Sequence, residues 1–152
     1  ETCYLGPIDG YGDATAAWMA RELKPMIDRE YRTYPHREAT GIGGSSMGGL
    51  MSLYSVIAHN DVYSKAACLS SVIFAPLLQA AQDLPLHLDT RVYLSWGTEE
   101  SRATGRLSQQ MEAILQTKGI LTRAYAQAGG EHCEGDWEKQ NGLYMDYLWL
   151  DR

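Results

Sequence analysis

No stretch of this sequence is apolar for long enough to cross a membrane. The longest candidates, such as CLSSVIFAPLL, carry serines and stop well short of the ~20 residues a spanning helix needs. No basic-then-apolar leader opens it, and its first residue is Glu1. Thirteen Lys and Arg are scattered along the chain against nineteen Asp and Glu, giving a net charge of −6 and a pI near 5.1. The concentrated basic surface that holds a phosphate backbone is therefore absent, and neither nucleic acid nor a membrane is expected as a partner. Cysteine is scarce. Cys3, Cys68 and Cys133 are odd in number and form no CxxC, which excludes a disulfide framework and a zinc knuckle and fits a reducing, cytoplasmic setting. There is no internal repeat, low-complexity tract or linker. What remains is a globular composition, 45% hydrophobic and 21% charged over 152 residues, the size of a single domain.

Hydrophobic spacing then divides the chain. GDATAAWMARELKPMIDREY (12–31) reads as a helix, with Asp13 as N-cap, Met19, Leu23, Met26 and Ile27 on one face, and Pro25 kinking or splitting it. TYPHR is a turn. EATGIGG (38–44) reads as a buried strand and MGGLMSLYSVIAHN (47–60) as a helix. KAACLSSVIF (65–74), RVYLSWG (91–97) and LTRAYAQAGG (121–130) read as further strands. Helices over APLLQAAQ and RLSQQMEAILQTKG separate them, and GDWEKQNGLYMDYLWL (135–150) closes the chain as one amphipathic helix weakened by Gly142. Strands alternating with helices predict an α/β fold, a mostly parallel sheet flanked by helices. Ligands of such sheets bind beyond the carboxyl ends of the strands. Chemistry is therefore expected in GGSSMGG, SSVIFAP, GTEES and GGEHCEGDW.

The first of these turns, within GIGGSSMGGL (41–50), contains Gly44-Ser45-Ser46-Met47-Gly48, a match to G-x-S-x-G. The motif describes a tight strand-to-helix corner that presents a serine hydroxyl above the sheet. Only Ser46 holds its central position. The Met47 N–H at the start of the following helix could donate to an oxyanion. A serine hydroxyl needs a base. His36 lies in a turn, His59 suits a charged helix C-cap, and His87 reads as either exposed or core. His132 follows the last strand in a glycine-rich loop, in the chain order serine, acid, histidine. The acid falls in GTEES, with Glu100 preferred and Glu99 the alternative. Asp89 precedes its strand, and Glu134 and Asp136 stand too close in sequence to His132. Trp137, Tyr144 and Trp149 read as core packing rather than a binding wall, and Cys133 as incidental.

ELKPMIDREYRTYPHREATGIGGSSMGGLMSLY, KAACLSSVIF, RVYLSWGTEE and GGEHCEGDWEK, in that order, resemble the Putative esterase family, which includes esterase D, enterochelin esterases, feruloyl esterases and antigen 85 mycolyltransferases. The resemblance implies an α/β-hydrolase fold and ester hydrolysis through an acyl-enzyme without metal or organic cofactor. It implies Ser46 as nucleophile, His132 as base, an acid at the GTEE position and Met47 N–H as oxyanion donor. The family's upstream strands, and the loop that gives a second oxyanion N–H, have no match here. The chain is thus expected to be the C-terminal portion of that fold, one domain over 1–152, with its first strand left at a sheet edge. A preceding segment, the N-terminal loop or a second copy (a homo-oligomer) would cover that edge. The leading expectation is a serine carboxylesterase acting on short or medium acyl esters, with transfer to an alcohol as a variant. The alternative is a truncated hydrolase acting by binding or self-association.

Overall fold

Four strands, β1 (Gly41–Ser45), β2 (Lys65–Leu69), β3 (Arg91–Gly97) and β4 (Leu121–Gln127), lie side by side in that order, and every neighbouring pair is parallel. The computed structural model describes residues 11–150. Parallel neighbours need a crossover, and helices α3 (Met47–Ala58), α4 (Ala75–Asp83) and α5 (Arg102–Thr117) provide the three.

The period of two along the strands sorts the core into two layers. Ala66, Cys68, Val92 and Leu94 join Leu53 and Val56 of α3, Leu77 of α4, and Met111 and Leu115 of α5 in one buried cluster. Ala67, Leu69 and Tyr93 point the other way and pack with Tyr147 and Leu148 near the C-terminus. Both faces of the sheet are thus covered, as parallel sheets require. β1 has β2 as its one neighbour among the described residues, so it forms the sheet edge expected of it. The N-terminal loop proposed as its cover falls largely on residues 1–10, outside the described residues.

Several boundaries differ from the sequence reading. The first helical region is α1 (Tyr11–Trp18), a π-helical turn Met19–Leu23 and α2 (Lys24–Glu30). Pro25 sits in the first turn of α2, where a missing N–H costs least, and the wider turn precedes it. Asp13 lies inside α1 rather than capping it, and accepts a hydrogen bond from the Tyr54 hydroxyl. β1 begins later than expected because Arg37–Ala39 form a 3-10 turn. β2 ends at Leu69 because Ser70 turns to φ 46°. The C-terminal helix is three pieces, α6 (Glu134–Glu138), α7 (Asn141–Met145) and a π-helical turn Asp146–Leu150. The break falls at Lys139–Gln140 rather than at Gly142: the buried Gln140 amide donates to Gln127 Oε1 at 2.6 Å. Trp149 is 41% exposed, lies over the Lys65 ammonium at 4.5 Å and is not core. Among the described residues no helix is long and apolar enough to cross a membrane.

Candidate active site

The corner between β1 and α3 is held at both ends. Ser46 N–H donates to Leu69 O at 2.8 Å, extending the sheet ladder to the turn, and Leu50 N–H donates to Ser46 O at 3.1 Å, beginning the helix. Between these anchors Ser46 has φ 55° and ψ −116°. A non-glycine residue held in so rarely occupied a region costs about 1–3 kcal/mol, and the surrounding bonds must enforce it. Gly44 makes the corner possible: a Cβ there would lie 2.6 Å from the carbonyl carbon of Gly48. Gly48 itself faces open space, so of the two motif glycines only Gly44 is required sterically. Met47 is the first residue of α3, and its N–H is one of the donors a helix leaves without an internal acceptor.

The turn after β3 delivers the acid. Glu100 N–H donates to Gly97 O at 3.1 Å, and Gly97 N–H donates to Glu100 Oε1 at 2.7 Å, so the side chain curls back over its own strand end. A second donor, the Ser70 hydroxyl, reaches the same oxygen at 2.6 Å. Glu99 is exposed, and its backbone N–H bonds Gly130 O at 3.0 Å. Of the pair, Glu100 turns inward and Glu99 faces solvent.

His132 stands on the loop after β4. Glycine lets this loop press against the β3 turn, since a Cβ on Gly97 would fall 2.1 Å from Gly130 O. Asp136 braces the loop from the first turn of α6. Its carboxylate accepts from Glu131 N–H at 2.7 Å, Gln127 Nε2 at 3.1 Å and Lys139 Nζ at 2.6 Å. The Glu131 N–H, and after it the Lys139 ammonium, hold the Asp136 carboxyl below its ordinary pKa. Asp136 therefore supports the backbone before His132.

The imidazole bridges the other two groups. His132 Nε2 is 2.8 Å from Ser46 Oγ, and Nδ1 is 2.9 Å from Glu100 Oε2. The Glu100 side chain is 3% exposed and that of His132 46%, so the acid is sealed beneath a base that solvent can reach. Burial alone would raise the Glu100 pKa, but hydrogen bonds from Ser70, Gly97 and His132 outweigh it and hold the carboxyl below its usual range. Residues separated by 86 and 32 positions in sequence thus form one continuous hydrogen-bonded line.

The other histidines lie elsewhere. His36 is exposed beside the 3-10 turn. His59 caps α3 but not as a cation, because burial and then the Arg21 charge lower its pKa. His87 lines an open pocket of about 470 Å³ with Ile57, Asn60 and Asp61, off the C-terminal end of α3 and away from Ser46. Among the described residues no three His, Cys, Asp or Glu side chains are grouped as metal ligands would be. Cys133 Sγ contacts Asp136 Oδ2 at 3.6 Å, and Cys68 is buried.

Two site neighbours were not singled out in the sequence. Ser70 closes the gap between Glu100 and Trp137, whose indole Nε1 donates to it at 2.9 Å. Trp137, read as core, packs against the second cluster but also meets the His132 ring edge-on at 5.0 Å. Both fall in strand-end segments where chemistry was expected, Ser70 as the first residue of SSVIFAP and Trp137 as the last of GGEHCEGDW, but nothing in the spacing pairs either with Glu100 or His132.

A family model described as Putative esterase matches residues 4–140. Among solved structures, a ferulic acid esterase superposes with TM-score 0.74 at 15% identity, covering 97% of this chain and 65% of its own. The enterobactin esterase FES from Shigella flexneri gives 0.73 at 20% identity, with coverage of 93% and 41%. The BES protein from Bacillus cereus gives 0.81 at 16% identity, with coverage of 96% and 62%. The chain spans between 41% and 65% of the length of these neighbours.

Proposed function

The chain belongs to the Putative esterase family, and from that premise we propose that it is a serine carboxylesterase working through an acyl-enzyme. The observation that carries this reading is the line Ser46 Oγ to His132 Nε2 at 2.8 Å and His132 Nδ1 to Glu100 Oε2 at 2.9 Å. Ser46 Oγ attacks the ester carbonyl while its proton passes to His132 Nε2. The resulting oxyanion is met by Met47 N–H at the positive end of α3, in the pattern of an oxyanion hole. His132 then hands its proton to the leaving alcohol oxygen as the carbonyl–oxygen bond breaks. In the second half, water attacks the acyl-serine, its proton passes to the same nitrogen and returns to Ser46 as the carboxylic acid departs. Glu100 stays ionised throughout, holding the Nδ1–H tautomer and offsetting the imidazolium charge.

Short or medium acyl esters are the proposed substrate class; the half-exposed His132 side chain lets a small ester reach it from solvent. The reading is tested by p-nitrophenyl acetate turnover. The native chain should show a burst followed by steady turnover, and Ser46→Ala should show neither. Equal rates for the two would end it. The alternative, a module that binds without turnover, draws on the share of its neighbours' length that the chain spans. It predicts no burst from either protein.

A further inference from the structure

We propose that Ser70 and Trp137 are positioning residues: a one-way hydrogen-bond chain, Trp137 to Ser70 to Glu100, that fixes which nitrogen of His132 carries the proton. The inference deepens the esterase reading and rests on it only for its kinetic consequences. It begins with donor inventory. An indole nitrogen can only donate. Trp137 Nε1 lies 2.9 Å from Ser70 Oγ, so the serine is the acceptor in that contact. A hydroxyl has one hydrogen, and the Ser70 hydrogen is left for Glu100 Oε1 at 2.6 Å. The same oxygen receives Gly97 N–H at 2.7 Å. Two donors on Oε1 favour the ionised carboxylate, which leaves Oε2 without a hydrogen and able only to accept. Oε2 then faces His132 Nδ1 as an acceptor at 2.9 Å, which requires the hydrogen on Nδ1. The lone pair is thereby placed on Nε2, toward Ser46 Oγ.

The backbone supports this role. Ser70 is 2% exposed and is one of two non-glycine residues with positive φ among those described, the other being Ser46. Its N–H bonds Ser95 O at 2.7 Å, which pins the strained residue to the end of β3. Strain in a buried serine that ends a strand and aims its hydroxyl at the acid marks a position held for its orientation rather than for packing. Trp137 grips the pair from the other side. The ring that donates to Ser70 also meets the His132 ring edge-on, with an interplanar angle of 86°.

The test uses Trp137→Phe, which keeps a ring edge for His132 but removes the donor, and Ser70→Gly, which tolerates φ 46° but removes the hydroxyl. Nitrogen-15 NMR of the histidine ring reports the tautomer with no substrate present. In the native protein the neutral His132 ring should be the Nδ1–H tautomer alone, and in both variants a mixture of tautomers. Steady-state assay should show kcat lower by roughly tenfold, the worth of about one hydrogen bond, with KM within about twofold of native. Should Trp137→Phe fail to fold, judged by circular dichroism, Ser70→Gly decides. A native protein lacking the Nδ1–H form, or folded variants that keep it undiluted, would overturn the inference whatever the activity. Mixed tautomers in variants of a protein that turns over no ester would uphold it and sink the esterase reading instead.

Discussion

Ser46 Oγ and His132 Nε2 stand 2.8 Å apart across 86 residues of chain. The contact depends on a corner that the backbone would not adopt unaided, since Ser46 has φ 55° and ψ −116°. Strain of this kind is a stability cost retained at a site. Ser46→Gly is therefore expected to abolish turnover while raising stability by roughly 1 kcal/mol, a rise of about 2–4 °C in Tm for a chain of this size. Differential scanning calorimetry of the two proteins checks it.

The two adjacent glutamates should separate cleanly. Glu100→Gln removes the charge beneath His132 and is expected to lower kcat by about 10²–10⁴-fold with little change in KM. Glu99→Gln alters a solvent-facing side chain and should leave both constants near native. Parallel kinetics on the two variants decide the assignment.

The two motif glycines should also behave differently. Gly44→Ala drives a methyl to 2.6 Å from the backbone of Gly48, a clash no side-chain rotation relieves. Its cost should reach or exceed the ~1–3 kcal/mol of an overpacked core. Gly48→Ala meets open space and should keep the fold. Urea denaturation of both variants is the measurement.

Acid sensitivity follows from the two carboxylates whose folded pKa values lie low. Glu100 and Asp136 are both depressed by the groups that hold them. Each contributes stability that is fully present above the ordinary carboxylate values, about 3.9–4.3, and is lost as pH falls through the lower folded values. Stability should thus be flat in these groups from about pH 7 to pH 5 and fall below that. Glu100→Gln should make the fall shallower. Denaturation midpoints measured across pH 3–7 report both.

The alternation of elements and the four strand-end turns were readable because buried parallel strands and amphipathic helices leave distinct periods. Ser46, His132 and the acidic turn were readable as candidates because each sits at the carboxyl end of a strand. What could not be read depends on contacts between distant segments. Ser70 ends β2 early by turning toward Glu100, thirty residues away. Gln140 interrupts the last helix to bond Gln127. Trp149, apolar in sequence, finds its partner in the Lys65 ammonium at the surface. Which of Glu99 and Glu100 turns inward also awaited the fold, because neighbouring residues in a turn differ only in which way they point.

An activated hydroxyl at Ser46 is what ester hydrolysis here requires. A fluorophosphonate probe reacts rapidly only with a serine whose proton a neighbouring base can take, and peptide mass spectrometry locates the adduct. We expect rapid stoichiometric labelling on Ser46 in the native protein and a loss of that labelling in His132→Ala. Labelling that is absent, that maps to another residue, or that proceeds equally fast without His132 would contradict ester hydrolysis through Ser46.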